Sequence, residues 1–267
     1  MSTRRRALVL ALATVLAASA CGGSSGSGSA GSSGGSPGGT LNVFAAASLT
    51  NAFGDLKQTY EQQHPGWKVT LNLAGSDQLA AQIEQNAPAD VFAAASPRYP
   101  EQLQGENLLG KTTAFATNSL LLVTPTSNPA GIRTVADLEQ GDAKVVVADP
   151  AVPLGAYTED VLGNLGIDET RLNIVSKEQD AEAVLAKLTS GEADAGFVYV
   201  TDALSQKAKL REIGFPASAD ATATYPIGIV SDSKHTKAAQ QWIDLVMGPH
   251  GQAVLERFGF GAAPTAS

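Results

Sequence analysis

Three features of the sequence predict an α/β fold built on parallel sheets. Short apolar runs alternate as buried strands do, with Leu41, Val43 and Ala45 the first of them. Longer stretches carry apolar residues at helical spacing, beginning with Leu49, Ala52, Phe53, Leu56 and Tyr60. The two kinds of segment follow one another in strict succession, as crossover connections between parallel strands require.

Taken in order, residues 41–46 read as a first strand and residues 49–63 as a first helix, stopped by His64-Pro65-Gly66. At their junction lies Phe44-Ala45-Ala46-Ala47-Ser48-Leu49-Thr50, which places Ser48 at the helix N-cap. Where a strand ends and a helix begins in such a sheet, free backbone N–H groups favour an anion. The small residues 45–47 leave room beside those donors. Residues 68–73 form a second strand, and Ala74-Gly75-Ser76 turns into a helix whose apolar face is Leu79, Ala80 and Ile83, with Ser76 as its expected cap. Pro88 and Asp90 lead into a third strand at residues 91–95.

A second strand and helix set follows. Residues 119–124 are an apolar strand, and Thr134-Val135-Ala136-Asp137 carries a capping-box signal. Residues 144–148 form a strand, and Val152-Pro153-Leu154-Gly155-Ala156-Tyr157 enters a helix bearing Val161, Leu162 and Leu165. Next come a strand at 172–175, a helix from about Asp180 with Ala181, Val184, Leu185 and Leu188 on one face, a buried strand at 195–200, and a helix start at Thr201-Asp202-Ala203. A strand at 225–230, a helix at 236–247 and a last helix opened by Gly248-Pro249 complete the chain. No short fixed repeat suggests a solenoid.

The N-terminus reads as an address. Arg4, Arg5 and Arg6 precede an apolar run at residues 7–20, and Ser19-Ala20 leads to Cys21, the only cysteine. That run is shorter than the ~20 residues a membrane-spanning helix needs. The pattern is that of a secretory signal with a lipoprotein-type cleavage site, and a lone cysteine in an exported chain has no disulfide partner. Residues 1–20 are therefore expected to be a signal peptide, Cys21 the lipidated residue, and residues 21–39, almost entirely Gly and Ser, a flexible tether. Removing the signal with its three arginines takes 18 basic residues to 15 against 26 acidic ones, and the net charge from −8 to −11. Such a surface repels nucleic acid, and no basic stripe reverses this. An anion site on this chain has to work locally, through aimed N–H and O–H donors.

Several segments together resemble the molybdate-binding proteins of ABC-type importers, within the periplasmic binding protein superfamily. The matching pieces are Val43-Phe44-Ala45-Ala46-Ala47-Ser48-Leu49-Thr50, Gly75-Ser76 with Gln82-Ile83-Glu84, and Ala87-Pro88-Ala89-Asp90-Val91-Phe92. Asn118-Ser119-Leu120, Asp149-Pro150 with Val152-Pro153, Gly155-Ala156-Tyr157, Val198-Tyr199 with Asp202-Ala203, and Tyr225-Pro226 continue it, and Gly248-Pro249 with Gly259-Phe260 closes it. The resemblance spans about residues 41–261. It implies two lobes, each a mostly parallel sheet flanked by helices, with an oxyanion in the cleft between them: residues 40–117 and 226–267 in lobe I, and 118–225 in lobe II. It further implies that Ser48 and Ser76 supply hydroxyl and backbone donors, Leu154 and Ala181 backbone N–H groups, and Tyr199 its phenolic hydroxyl. Relatives often carry Ala and Val where this chain has Leu154 and Ala181, a change that a backbone donor tolerates.

Taken singly, Ser48 and Ser76 are helix caps and Tyr199 a strand-end aromatic; in this order they outline one site. Molybdate is a dianion that only accepts hydrogen bonds, so hydroxyls and helix-start N–H groups suffice without a counter-charge. Sulfate is smaller and would leave donors unsatisfied, whereas tungstate is nearly the same size. Asp77, beside Ser76, either repels a dianion or points away and supports the helix start; the second reading is preferred.

The expected function is thus a lipid-anchored, monomeric solute-binding protein on the outer face of the cytoplasmic membrane, with no cofactor of its own and no enzymatic activity. It would deliver molybdate or tungstate to a permease and its ATPase subunits. A sulfate-binding protein of the same fold is the alternative. Ferric iron would want clustered Tyr, His or carboxylate ligands, and Tyr199 has no neighbouring Tyr. An exported hydrolase is remote, because Ser48 lies in no Gly-x-Ser-x-Gly elbow and no His ends a strand. A sensory effector would need a DNA-reading helix-turn-helix, which an exported chain does not use.

Overall fold

The computed structural model describes residues 38–219 and 221–264. The expected signal peptide, Cys21 and all but the last two residues of the tether lie outside them. Among the described residues no helix is long and apolar enough to cross a membrane.

Strand β1 (Gly39–Ala46) is followed by a 3-10 turn (Ala47–Leu49) and helix α1 (Thr50–Gln63). Then come β2 (Trp67–Ala74), α2 (Ser76–Glu84), β3 (Val91–Ala93) and α3 (Arg98–Gly105). A long strand β4 (Thr113–Pro125) leads to a 3-10 segment (Val135–Gln140), β5 (Val145–Ala148), α4 (Pro153–Leu165) and β6 (Ile174–Glu178). Helix α5 (Ala181–Ser190), β7 (Ala195–Tyr199), α6 (Val200–Ser205) and β8 (Leu210–Ile213) come next. The chain ends with β9 (Thr222–Ile229), α7 (Thr236–Met247), α8 (Pro249–Arg257) and β10 (Gly261–Ala262).

The strands run in the order β2-β1-β3-β9-β4-β7-β5-β6, with β8 and β10 also paired to β4. This order has a mirror in it. β2, β1 and β3 are mutually parallel with β9 antiparallel at their side, and β6, β5 and β7 are parallel with β4 antiparallel at theirs. Strand β4 belongs to both sets: residues 113–119 pair with β9, and Leu120 to Val123 pair with β7. The fold is thus a two-lobe α/β fold, two mostly parallel sheets with helices, joined through β4, with β9 paired to its first half.

Burial follows the alternation read from the sequence. Leu41, Val43 and Ala45 face the main core, where Phe53 on α1 packs edge-on against Trp242 on α7, ring centroids 5.4 Å apart. Phe44, between them, turns to the other face and a second cluster with Leu79 and Ile83 of α2 and Leu103 of α3. Both faces of the first sheet are therefore covered, which is why its strands are apolar without a polar side.

Gly39, the last residue of the expected tether, already belongs to β1 and pairs with Trp67.

Candidate functional site

Between the two parallel sets of strands lies a small cavity, partly open to solvent, and Ser48, Ser76, Leu154, Ala181 and Tyr199 all line it. Each sits where a strand gives way to a helix. Ser48 follows β1, Ser76 follows β2, Leu154 follows the β5 loop, Ala181 follows β6 and Tyr199 ends β7. Five separate junctions are brought to one point because parallel strands deliver their C-terminal ends to the same edge.

The two serines do not cap their helices as the sequence reading expected. Leu49 is the N-cap of α1, with Ser48 inside the preceding 3-10 turn, and Gly75 is the N-cap of α2; neither helix has a side-chain cap. Both hydroxyls are engaged elsewhere. The Ser76 Oγ accepts from the Ala95 backbone N–H at 3.1 Å, and the Ser48 Oγ lies 2.9 Å from the Tyr225 hydroxyl. A hydroxyl that accepts from the protein keeps its own proton for another partner.

The other wall is made of helix starts. Pro153 occupies the first position of α4, where its missing N–H costs nothing, and Leu154 comes second. The first N–H groups of a helix have no intrahelical acceptor. In α5 the Asp180 carboxylate caps the helix by accepting from the Ala183 N–H at 2.8 Å, so the cap satisfies the third position and leaves Ala181, at the first, uncommitted. Gly155 is needed for α4 to sit this close, since a Cβ there would fall 2.1 Å from the Asp149 carbonyl oxygen.

Tyr199 is 1% exposed, and its hydroxyl is buried with no hydrogen-bond partner. Burial pushes its pKa well above the usual phenol value, so it remains an O–H donor. Its backbone N–H donates to the Asp202 carboxylate at 3.1 Å, which fixes the strand end against α6. The Asp202 carboxyl is itself buried, and burial, helped by Glu182 and Asp180, raises its pKa to about 7.

Among the described residues no Lys, Arg or His lines the cavity, and its one carboxylate, Asp180, accepts from the Ala183 N–H. The wall offers the Ser76 hydroxyl, which already accepts from Ala95, the Ser48 hydroxyl, two helix-start N–H groups and the buried Tyr199 phenol. These donors, without a counter-charge, suit a small acceptor-only anion. Among the described residues no group of three or more His, Cys, Asp or Glu could hold a metal ion.

Asp77 is not part of the lining. Its carboxylate folds back over Gly75, where a Cβ would come within 2.5 Å of Oδ1, and burial raises its pKa, with Asp149 and Asp180 adding to the effect. The absent side chain of Gly75 also admits the Gln179 carbonyl, 2.7 Å from where a Cβ would stand. Here the two sides of the cavity meet. Gln78 Nε2 donates to Gln179 Oε1 at 3.1 Å, and the Tyr99 hydroxyl donates to the Ala151 carbonyl.

Sequence reasoning assigned no role to Ala95, Asn118 or Tyr225, which hold the serines from behind. Asn118 and Tyr225 stood in recognised motifs, but nothing in residue spacing says that β4 and β9 carry them to Ser48.

Comparison with known proteins agrees with this architecture. The molybdate-binding protein ModA of Mycobacterium tuberculosis is 39% identical over 219 residues, covering 82% of this chain and 83% of that protein. The substrate-binding domain of a putative molybdenum ABC transporter from Clostridium difficile superposes with a TM-score of 0.65 at 30% identity, over 84% of this chain and 99% of that one. The periplasmic molybdate-binding protein of Azotobacter vinelandii shares the fold, with a TM-score of 0.74 at 22% identity over 84% of this chain and 100% of that one. Residues 41–261 match the model of a single family. The chain therefore belongs to the bacterial extracellular solute-binding proteins.

Proposed function

We propose that this protein captures molybdate, and tungstate with it, outside the cytoplasmic membrane and hands it to the permease of an ABC importer. The observation that carries the reading is the convergence of three hydroxyls and two helix-start N–H groups on one cavity that, among the described residues, no cation lines. Ser48, Ser76 and Tyr199 would donate from hydroxyls, Leu154 and Ala181 from backbone N–H groups. The names of the M. tuberculosis and A. vinelandii relatives support molybdate as the cargo, and that of the C. difficile relative supports the transporter type.

On this reading the lobes divide near residue 118 on β4, which passes from one sheet to the other, and near residue 225 on β9. The ion completes a seam that Gln78 with Gln179 and Tyr99 with Ala151 close, and closure is the signal to the permease. Lipidation of Cys21 would hold the monomer at the membrane. Replacing it by Ser should release the protein into the medium.

Calorimetric titration with molybdate, tungstate, sulfate and phosphate in turn tests the cargo. One-to-one binding of the first two alone is expected. Tight sulfate binding would keep the architecture and overturn the ligand, and absence of binding by all four would overturn the reading itself.

A further inference from the structure

Behind Ser48 lies a buried chain of polar groups that the cavity lining does not include. Asn118 on β4 is 2% exposed and Tyr225 on β9 is fully buried. The Asn118 side-chain amide donates to the Tyr225 hydroxyl at 3.3 Å and to the Thr201 Oγ1 at 3.0 Å. The Tyr225 hydroxyl is 2.9 Å from the Ser48 Oγ.

We infer that Tyr225, oriented by Asn118, is a positioning residue that turns the Ser48 hydroxyl proton into the cavity. An amide NH2 can only donate, so Tyr225 accepts from it, and the relay assigns the phenol's own proton to the Ser48 Oγ 2.9 Å away. Ser48 then accepts from Tyr225, and its own proton is left for the cavity that it lines. The phenol holds its proton throughout, because burial raises its pKa. Without the relay the Ser48 hydroxyl is free to rotate and to face an anion with its lone pairs. Ser76 reaches the same state by a shorter route, accepting directly from the Ala95 N–H. Asn118 lies on β4 just before its pairing passes from β9 to β7, and Tyr225 lies on the adjacent β9, so the relay is set where the sheets meet.

This inference rests on the oxyanion reading of the cavity, and a double-mutant cycle separates the two. Molybdate affinity and the melting temperature of the unliganded protein are measured for Tyr225→Phe, Ser48→Ala and the double variant. Ser48→Ala should weaken binding by on the order of tenfold or more, as loss of a donor to a charged group does. Tyr225→Phe should weaken it by about tenfold when Ser48 is present and by less than about twofold in the Ser48→Ala background. Equal losses in both backgrounds would show that Tyr225 acts by packing and would overturn the relay, as would no loss with Ser48 present. No loss in Ser48→Ala itself would overturn the oxyanion reading. Asn118→Ala provides a second arm that leaves the phenol ring untouched, and its effect should vanish in the same way once Ser48 is replaced. An effect of Asn118→Ala that persists in the Ser48→Ala background would overturn the relay at its first link.

Discussion

The two walls of the cavity solve the same problem with different parts. On the first, side-chain hydroxyls face the cavity with neighbours behind them: the Ala95 N–H donates to Ser76, and Tyr225, in the proposed relay, to Ser48. On the second, the donors are helix-start N–H groups at Leu154 and Ala181, left over once Pro153 and Asp180 have dealt with their neighbours. The first wall depends on what the side chain is. The second depends only on where the backbone is, and it tolerates substitutions that would ruin the first.

Replacing Ser76 by Ala should have the largest effect. It removes a donor and strands the Ala95 N–H in a buried place, so oxyanion binding should weaken by about 2–3 kcal/mol, as titration calorimetry would read. On the opposite wall, Ala181→Pro isolates a single N–H. Proline is tolerated at the first helical position, and the extended Asp180 before it (φ −162°, ψ 171°) suits a following proline. The helix should survive by circular dichroism while affinity drops by about 1–2 kcal/mol. An unchanged affinity would remove Ala181 from the donor set.

Acidity should act through Asp202, whose buried carboxyl accepts from the Tyr199 N–H beside the cavity. With Asp202 at about 7 in the folded protein and about 3.8 as its ordinary value, the folded state holds a proton that the unfolded state has released between those two values. Stability against urea should therefore fall as pH rises through this window and level off above about 7. Asp202→Asn, which can still accept from the Tyr199 N–H, should flatten that slope; a slope that persists would mean another group carries it.

The smallest effect on binding is expected at Leu154→Ala. The side chain is 1% exposed, so melting temperature should fall with a loss of about 2–5 kcal/mol in stability. Affinity should stay nearly unchanged, since the N–H remains. Damage to binding comparable with that at Ser76 would break the distinction between the two walls.

The same distinction explains what could be read from the sequence. Strands covered on both faces and helices with a clear apolar stripe announced themselves: β1, α1, β5 and α7 fall within a residue or two of their expected limits, and α5 begins one residue from its expected start. Helix α3 did not, because Arg98–Gly105 is short, carries Pro100 in its first turn and buries only Tyr99, Pro100 and Leu103. The first half of β4 was hidden by its mixture of small and polar residues, and β8 by having only four residues, with Leu210 and Ile213 buried at its ends. That Ser48, Ser76, Leu154, Ala181 and Tyr199 come to one cavity was legible through their motifs and their common place at strand ends. Their supporting contacts were not. Ser48 and Ser76 looked like caps because serine before an apolar helix usually is one, and only the pairing of distant strands brings Ala95 and Tyr225 to them.

The most direct measurement is a crystal structure with molybdate bound, in which anomalous scattering locates the metal. The account predicts one peak between Ser48, Ser76, Leu154, Ala181 and Tyr199, with oxygens about 2.7–3.2 Å from the two serine hydroxyls, the two backbone nitrogens and the phenol. A peak in another cavity, or oxygens held by basic side chains instead of these donors, would contradict it.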